Sequence, residues 1–165
     1  MEVIIAKTIR NHPSALPPSI KSMNYLNNIL GKIEAIDGGV LEAVMLNHDG
    51  CVAECTADNL FIVRDGPGGS PELITPPASA GMLEGVTMIT VLELADAAGI
   101  ATCRGDLRPE DLFAAREAFL TGTAAEVMPV TKVDGRTIGN GQPGPVTRQL
   151  VTAFHDLASG EVPED

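Results

Sequence analysis

The chain has 165 residues, 44 % of them hydrophobic but only 3 % aromatic and none tryptophan, so it can bury one aliphatic core of domain size. A formal net charge of −11 disfavours nucleic acid and anionic membrane surfaces as partners, and an anionic ligand must be held by a local site working against the overall field. No apolar run approaches the ~20 residues of a bilayer span, and Met1-Glu2-Val3-Ile4-Ile5-Ala6-Lys7 lacks the basic start of a signal peptide, so a cytoplasmic protein is expected.

Val3 to Thr8 is a β-branched run predicted as a strand, and Asn11 to Pro18 holds three prolines and reads as a loop. Ile20, Met23, Leu26, Ile29, Leu30 and Ile33 recur at steps of three and four. That spacing predicts a helix with one buried face, from about Ser22 to Asp37-Gly38-Gly39. Pro17-Pro18 block helix before Ser19, and Ser19 or Ser22 can cap its start. Leu41 to Leu46 and Cys51 to Glu54 are predicted strands, paired antiparallel across Asn47-His48-Asp49-Gly50. Cys51, Cys55 and Cys103 are an odd, sparse set that fits free thiols in a reducing compartment; a zinc site on Cys51 and Cys55 would need a sequence-distant ligand.

Strands are predicted at Asn59 to Arg64 and Glu72 to Thr75, around a Gly/Pro-rich loop from Asp65 to Pro71. Pro76 to Leu83 is irregular. Gly85 opens a helix that Gly99 closes. A strand at Ile100 to Cys103, a helix at Pro109 to Ala115 and a strand at Ala118 to Thr121 follow. Val127 to Val133 reads as a strand broken by Pro129 and turned by Asp134-Gly135. The last helix is Val146 to Leu157, behind Gly144-Pro145, and the acidic Ala158 to Asp165 is expected to fray. Hairpins mixed into the alternation of strands and helices predict a mixed α/β sheet wrapped by helices.

Four stretches carry polar chemistry. Lys21 falls at the predicted loop-to-helix entry, with Tyr25 four residues on along the same helical face. Glu54 ends one strand beside the tight turn to Asn59. Gly85-Val86-Thr87 begins a helix, where free N–H groups and the dipole suit a phosphate. Thr121-Gly122-Thr123-Ala124-Ala125 is a turn of small residues and hydroxyls that lets an anion approach the backbone. Each alone is more often an ordinary surface feature. Together they supply a Schiff-base lysine, an acid for a ring nitrogen and a phosphate seat, which are a protein's duties toward pyridoxal phosphate.

Ile20-Lys21-Ser22-Met23-Asn24-Tyr25-Leu26 resembles the catalytic-lysine segment of class IV (fold type IV) aminotransferases. The resemblance continues, in the family's order, through Glu54 to Phe61, Leu83 to Thr87, Gly122 to Val130 and Gly144-Pro145-Val146-Thr147. The Gly-Thr-Ala-Ala-Glu turn looks most like branched-chain amino acid aminotransferases. The resemblance implies a mixed sheet curling into a partial barrel with outer helices, the C-terminal domain of the D-amino acid aminotransferase-like fold. It implies pyridoxal 5′-phosphate as cofactor and amino transfer from an aliphatic L-amino acid to a 2-oxo acid. Lys21 would hold the cofactor covalently and shuttle protons, Tyr25 would bind its phenolic oxygen and Glu54 its ring nitrogen. Val86, Thr87 and Thr123 would bind its phosphate, and Thr123, Ala124 and Ala125 would lie at the substrate carboxylate.

Two residues depart from the family's pattern: Met88 stands where a basic residue is usual, and Asp58 where many relatives have Glu, Ser or Ala. The resemblance spans residues 1–165 as one cofactor-carrying domain, so a separate N-terminal domain, supplying a phosphate-binding arginine and one pocket wall, is expected to be absent from this chain. A homodimer is expected. A D-amino acid aminotransferase, an aminodeoxychorismate-lyase-like enzyme and a non-catalytic remnant are the alternatives on the same scaffold.

Overall fold

The computed structural model describes residues 1–160, and the last part of the expected frayed tail, residues 161–165, lies outside them. Ala158 and Ser159 themselves close a helix. The first sheet is built from β1 (Glu2–Ile5), β2 (Ala43–Leu46), β3 (Val52–Cys55), β9 (Lys132–Val133) and β10 (Arg136–Thr137), in the order β10-β9-β1-β2-β3. The second is built from β4 (Asn59–Asp65), β5 (Pro71–Thr75), β6 (Ala101–Arg104), β7 (Glu117–Gly122) and β8 (Glu126–Val130), in the order β6-β5-β4-β7-β8. Both are mixed: β1 runs parallel to β2 and β9, and β5 parallel to β6, while the hairpin-linked strands are antiparallel. Around them lie α1 (Leu26–Asp37), α2 (Val86–Ala97), α3 (Pro109–Ala114) and α4 (Pro145–Ser159). The expected mixed α/β architecture is therefore present, as two mixed sheets with few helices.

β4 explains the two-sided core. Leu60 and Ile62 face one apolar cluster with Val44, Val52 and Leu120. Phe61 and Val63 face the other, under α2 and α4, where Phe61 stacks on Phe119 at 5.0 Å between ring centroids. A strand buried on both faces reads as an unbroken apolar run. Met88 belongs to this second cluster and is fully buried, so a basic side chain there would put an unpaired charge into the core.

Three elements differ from the pattern-based expectation. β8 is not broken at Pro129, which pairs with Phe119; β8 is a sheet edge, so the missing N–H costs no ladder bond. The break comes at Thr131, and Asp134-Gly135, both at positive φ, turn β9 into the unpredicted β10.

The largest correction concerns α1. It begins at Leu26, so Lys21 precedes it and does not share a helical face with Tyr25, which is its N-cap residue. The apolar stripe is not its buried face. Ile20, Met23, Leu26, Ile29, Leu30 and Ile33 are all exposed, Met23 almost completely at 98 %. The face turned inward carries Asn28, Gly31 and Ala35. A Cβ on Gly31 would come within 3.2 Å of Thr56 and 3.3 Å of Met45, so the helix sits close on the sheet because that face is small.

The Gly144-Pro145-Val146-Thr147 stretch has a structural role. Pro145 needs no N–H partner at the first helical position. Buried Glu117 of β7 accepts the next two amides, Val146 N–H at 3.2 Å and Thr147 N–H at 2.7 Å. A methyl on Gly144 would overlap that carboxylate. Glu117→Ala should therefore lower unfolding free energy by ~2–4 kcal/mol in urea melts, by stranding two amides and leaving a cavity; a change under ~0.5 kcal/mol would contradict the capping role.

Candidate active site

Residues 55–59 turn the corner between the two sheets, from β3 into β4. The turn is closed by Cys55 N–H donating to Asp58 O at 2.7 Å. Glu54 stands at its start and is only 6 % exposed. An isolated carboxylate cannot be buried at that depth without partners. Its Oε1 pairs with the Arg10 guanidinium at 2.7 Å, and its Oε2 accepts Leu83 N–H at 3.0 Å. Arg10 is equally buried, and also donates to Asn28 Oδ1 at 2.7 Å. Burial pushes the Glu54 carboxyl up to about 7; the Arg10 charge and the Leu83 amide pull it back down, with less effect.

Above this pair opens a cleft. Lys21, Tyr25 and Glu54 line it together with Arg10, Asn28 and Thr56. Lys21 is exposed, in the irregular segment that leads to α1. The Tyr25 hydroxyl donates to Thr56 O at 2.8 Å. Burial, and then the charge of Glu54, push the Tyr25 phenol above its usual value. Lys32 is engaged elsewhere, its amine on Leu41 O and 3.7 Å from Glu42.

Val86, Thr87 and the Thr123 to Ala125 turn do not line this cleft; two side chains of the corner connect them to its wall. Asn59 Nδ2 donates to Leu83 O at 2.8 Å, and its Oδ1 fills the space a side chain on Gly85 would need. Behind Gly85, α2 starts without a side-chain cap, Val86 exposed and Thr87 buried. Asp58 packs against Gly122 in the same way. The buried Thr121 hydroxyl, directly opposite Asn59 in the β4–β7 ladder, has no hydrogen-bond partner. The uncapped start of α2 and the orphaned Thr121 hydroxyl, both outside the cleft lining, together with a buried acid at the cleft floor, suit a phosphorylated, nitrogen-bearing aromatic ring such as pyridoxal phosphate.

Arg10 is the participant that pattern reasoning missed. It follows a β-branched run and precedes a proline-rich loop, and nothing in that local pattern distinguishes a buried guanidinium from an exposed one. The only available signal was the need of a buried Glu54 for a cation.

Residues 1–133 match the amino-transferase class IV family. The chain is 44 % identical over 154 residues to a putative branched-chain-amino-acid aminotransferase of Methanocaldococcus jannaschii, covering 93 % of this chain and 52 % of that protein. It superposes on the crystal structure of branched-chain aminotransferase from Thermoproteus uzoniensis with norvaline at a TM-score of 0.91 and 37 % identity, over 98 % of this chain and 52 % of that one. It is also similar to the branched-chain amino acid aminotransferase from Thermobaculum terrenum in its PLP-form (holo-form), with TM-score 0.91, 36 % identity and the same two coverages, 98 % and 52 %. The chain spans about half the length of the curated relatives it matches.

The Glu54 environment gives a testable pH dependence. Its folded value of about 7 exceeds the usual 4.5, so its stabilising contribution is full in acid and is lost as pH rises through about 7. A carbon-13 NMR titration should find that midpoint in the wild type and a higher one in Arg10→Met, where the paired charge is gone. A wild-type midpoint near the ordinary glutamate value would contradict the burial.

Proposed function

The chain belongs to the class IV aminotransferase family, and on that premise we propose that it is the lysine-bearing, cofactor-carrying domain of an enzyme that moves an amino group from an aliphatic, branched-chain L-amino acid to a 2-oxo acid. The observation that carries this reading is the single cleft lined by Lys21, Tyr25 and Glu54. When bound, pyridoxal 5′-phosphate would supply an electron sink for the pair left when the substrate Cα loses its proton.

Each residue then has a defined duty. Glu54 holds a proton at the ring nitrogen through a charge-assisted hydrogen bond, while Arg10 and the Leu83 amide fix its carboxylate in place. The Tyr25 hydroxyl, which donates to Thr56 O, would bind the ring's phenolic oxygen. The Val86 amide and the Thr87 and Thr123 hydroxyls bind the phosphate at the dipole of α2. The Thr123, Ala124 and Ala125 backbone receives the substrate carboxylate. Lys21 would hold the cofactor covalently through its amine, and that amine would carry a proton to and from the substrate Cα.

A further domain, of the kind this chain's relatives have length to contain, is proposed to complete the site. It would add an arginine to the phosphate and a wall over exposed Lys21, and without it the positioning on which rate depends is incomplete. The uncovered stripe of α1, Leu26, Ile29, Leu30 and Ile33, supports a homodimer in which a second copy covers it. The free cysteines support a cytoplasmic setting. Among the described residues no helix is long and apolar enough to cross a membrane.

Pyridoxal phosphate added to the chain should give a visible absorption band, and borohydride should fix it on Lys21; Lys21→Ala should lose both. The purified chain alone should turn over slowly with leucine, isoleucine or valine and 2-oxoglutarate, and faster with the remaining half of a relative supplied in trans. A band surviving in Lys21→Ala, or activity with D-alanine only, would overturn the reading. Sedimentation should find a dimer that the double variant Leu30→Lys, Ile33→Lys converts to monomer; a wild-type monomer would contradict the α1 interface.

A further inference from the structure

Between the Arg10–Glu54 pair and the Tyr25 phenol stands one buried amide to which the reaction gives no duty. Asn28 lies in the first turn of α1, three residues after the N-cap residue Tyr25, so both side chains leave the helix on one side. Asn28 is only 6 % exposed. A carboxamide at that depth needs partners at both of its ends. Its Oδ1 accepts from the Arg10 guanidinium at 2.7 Å, and its Nδ2 donates to Thr56 O at 2.7 Å. Those partners fix which way the amide points, because a guanidinium only donates and a carbonyl only accepts.

The path from Glu54 through Arg10, Asn28 and Thr56 O to the Tyr25 hydroxyl is continuous, every contact lying between 2.7 and 2.8 Å. Neither end has a substitute for the amide. Arg10 reaches Gly81 O and Asn27 Oδ1 at 3.5 Å, at the edge of hydrogen-bonding distance, so among the described residues Asn28 is its one short neutral acceptor. Thr56 O receives both Tyr25 and Asn28. A phenol engaged by a ligand would therefore leave that carbonyl with the Asn28 donor, not stranded.

We propose that Asn28 is the positioning residue that ties the acid to the phenol, aligning the Arg10 guanidinium on Glu54 with one end of its amide and the Thr56 carbonyl beside Tyr25 with the other. It acts through these neighbours and holds the two functional groups at one spacing across the cleft. That this spacing serves a pyridine ring rests on the proposed aminotransferase function, whereas the tie between the two groups does not. The charged and titratable groups facing Glu54 are Arg10, Lys21, Asp58 and Tyr25. Of these, the Arg10 charge pulls the Glu54 carboxyl down most, so a guanidinium loosened from Asn28 lets that carboxyl hold its proton more tightly.

Each end of the tie has its own reporter on the full chain. Carbon-13 NMR follows the Glu54 carboxyl, and near-ultraviolet circular dichroism follows Tyr25, the only tyrosine in a chain without tryptophan. Asn28→Leu keeps the bulk and removes both hydrogen bonds. It should raise the proton affinity of Glu54 about tenfold over the wild-type midpoint of about 7, and change the tyrosine signal. Ala35→Gly, on the same inward face of α1, weakens the helix without touching the path, and should move neither reporter. Should Asn28→Leu fail to fold, Asn28→Asp decides: it keeps an acceptor for Arg10 but offers Thr56 O no donor, so the tyrosine signal should change. An unmoved Glu54 midpoint in folded Asn28→Leu would overturn the proposal, as would an unmoved tyrosine signal in either Asn28 variant, or equal shifts in Ala35→Gly. A wild type that gives no visible band with pyridoxal phosphate, yet shows both shifts in Asn28→Leu, would defeat the aminotransferase reading and leave the tie standing. A band on Lys21 with neither shift would do the reverse.

Discussion

The buried ion pair between Arg10 and Glu54 is the contact on which the site depends. It joins the end of the first strand region to the corner between the sheets, at 2.7 Å, with both side chains removed from water. Removing either partner would leave the other as an uncompensated buried charge, a loss on the order of 3–5 kcal/mol in comparable pairs. The position of the pair matters more than its strength. Glu54 is held from two sides, by a guanidinium and by a backbone amide, so one carboxylate is oriented at the floor of an open cleft. Its raised proton affinity follows from the same burial, and that combination of fixed geometry and tunable charge is what a ring nitrogen requires.

The corner turn distributes that order. Within six residues Glu54 anchors the cleft floor, Thr56 orients Tyr25, Asp58 packs on Gly122 and Asn59 holds the approach to α2. Three segments far apart in sequence are placed by one turn because each meets a different residue of it. Gly85 and Gly122 lack side chains for a local reason: Asn59 and Asp58 already occupy the space where a Cβ would stand.

Strand-and-turn patterns were legible in the sequence because they are local. The β2–β3 hairpin, the β4 strand and the glycine-bounded α2 all follow from neighbouring residues. The orientation of α1 was not legible. Apolar periodicity announces an apolar face without saying what covers it, and here the chain packs the opposite face, where Asn28, Gly31 and Ala35 permit close approach. Arg10 and Glu117 were missed because each acts on a partner distant in sequence, Glu54 in one case and the first turn of α4 in the other. The motif Gly144-Pro145-Val146-Thr147 was legible as a helix start, but its tie to Glu117 is purely tertiary. Lys21, Tyr25 and Glu54 were legible as a set only through the family resemblance, since each is individually ordinary.

The central claim is that Glu54 faces the cofactor's ring nitrogen while Lys21 holds the ring covalently in the same cleft. A crystal structure of the borohydride-fixed complex with pyridoxal phosphate measures both at once. The account predicts a bond from Lys21 Nζ to the cofactor and a Glu54 carboxylate oxygen ~2.7–2.9 Å from the ring nitrogen. A cofactor attached to another lysine, or a ring nitrogen directed at solvent with Glu54 still closed on Arg10 alone, would contradict it.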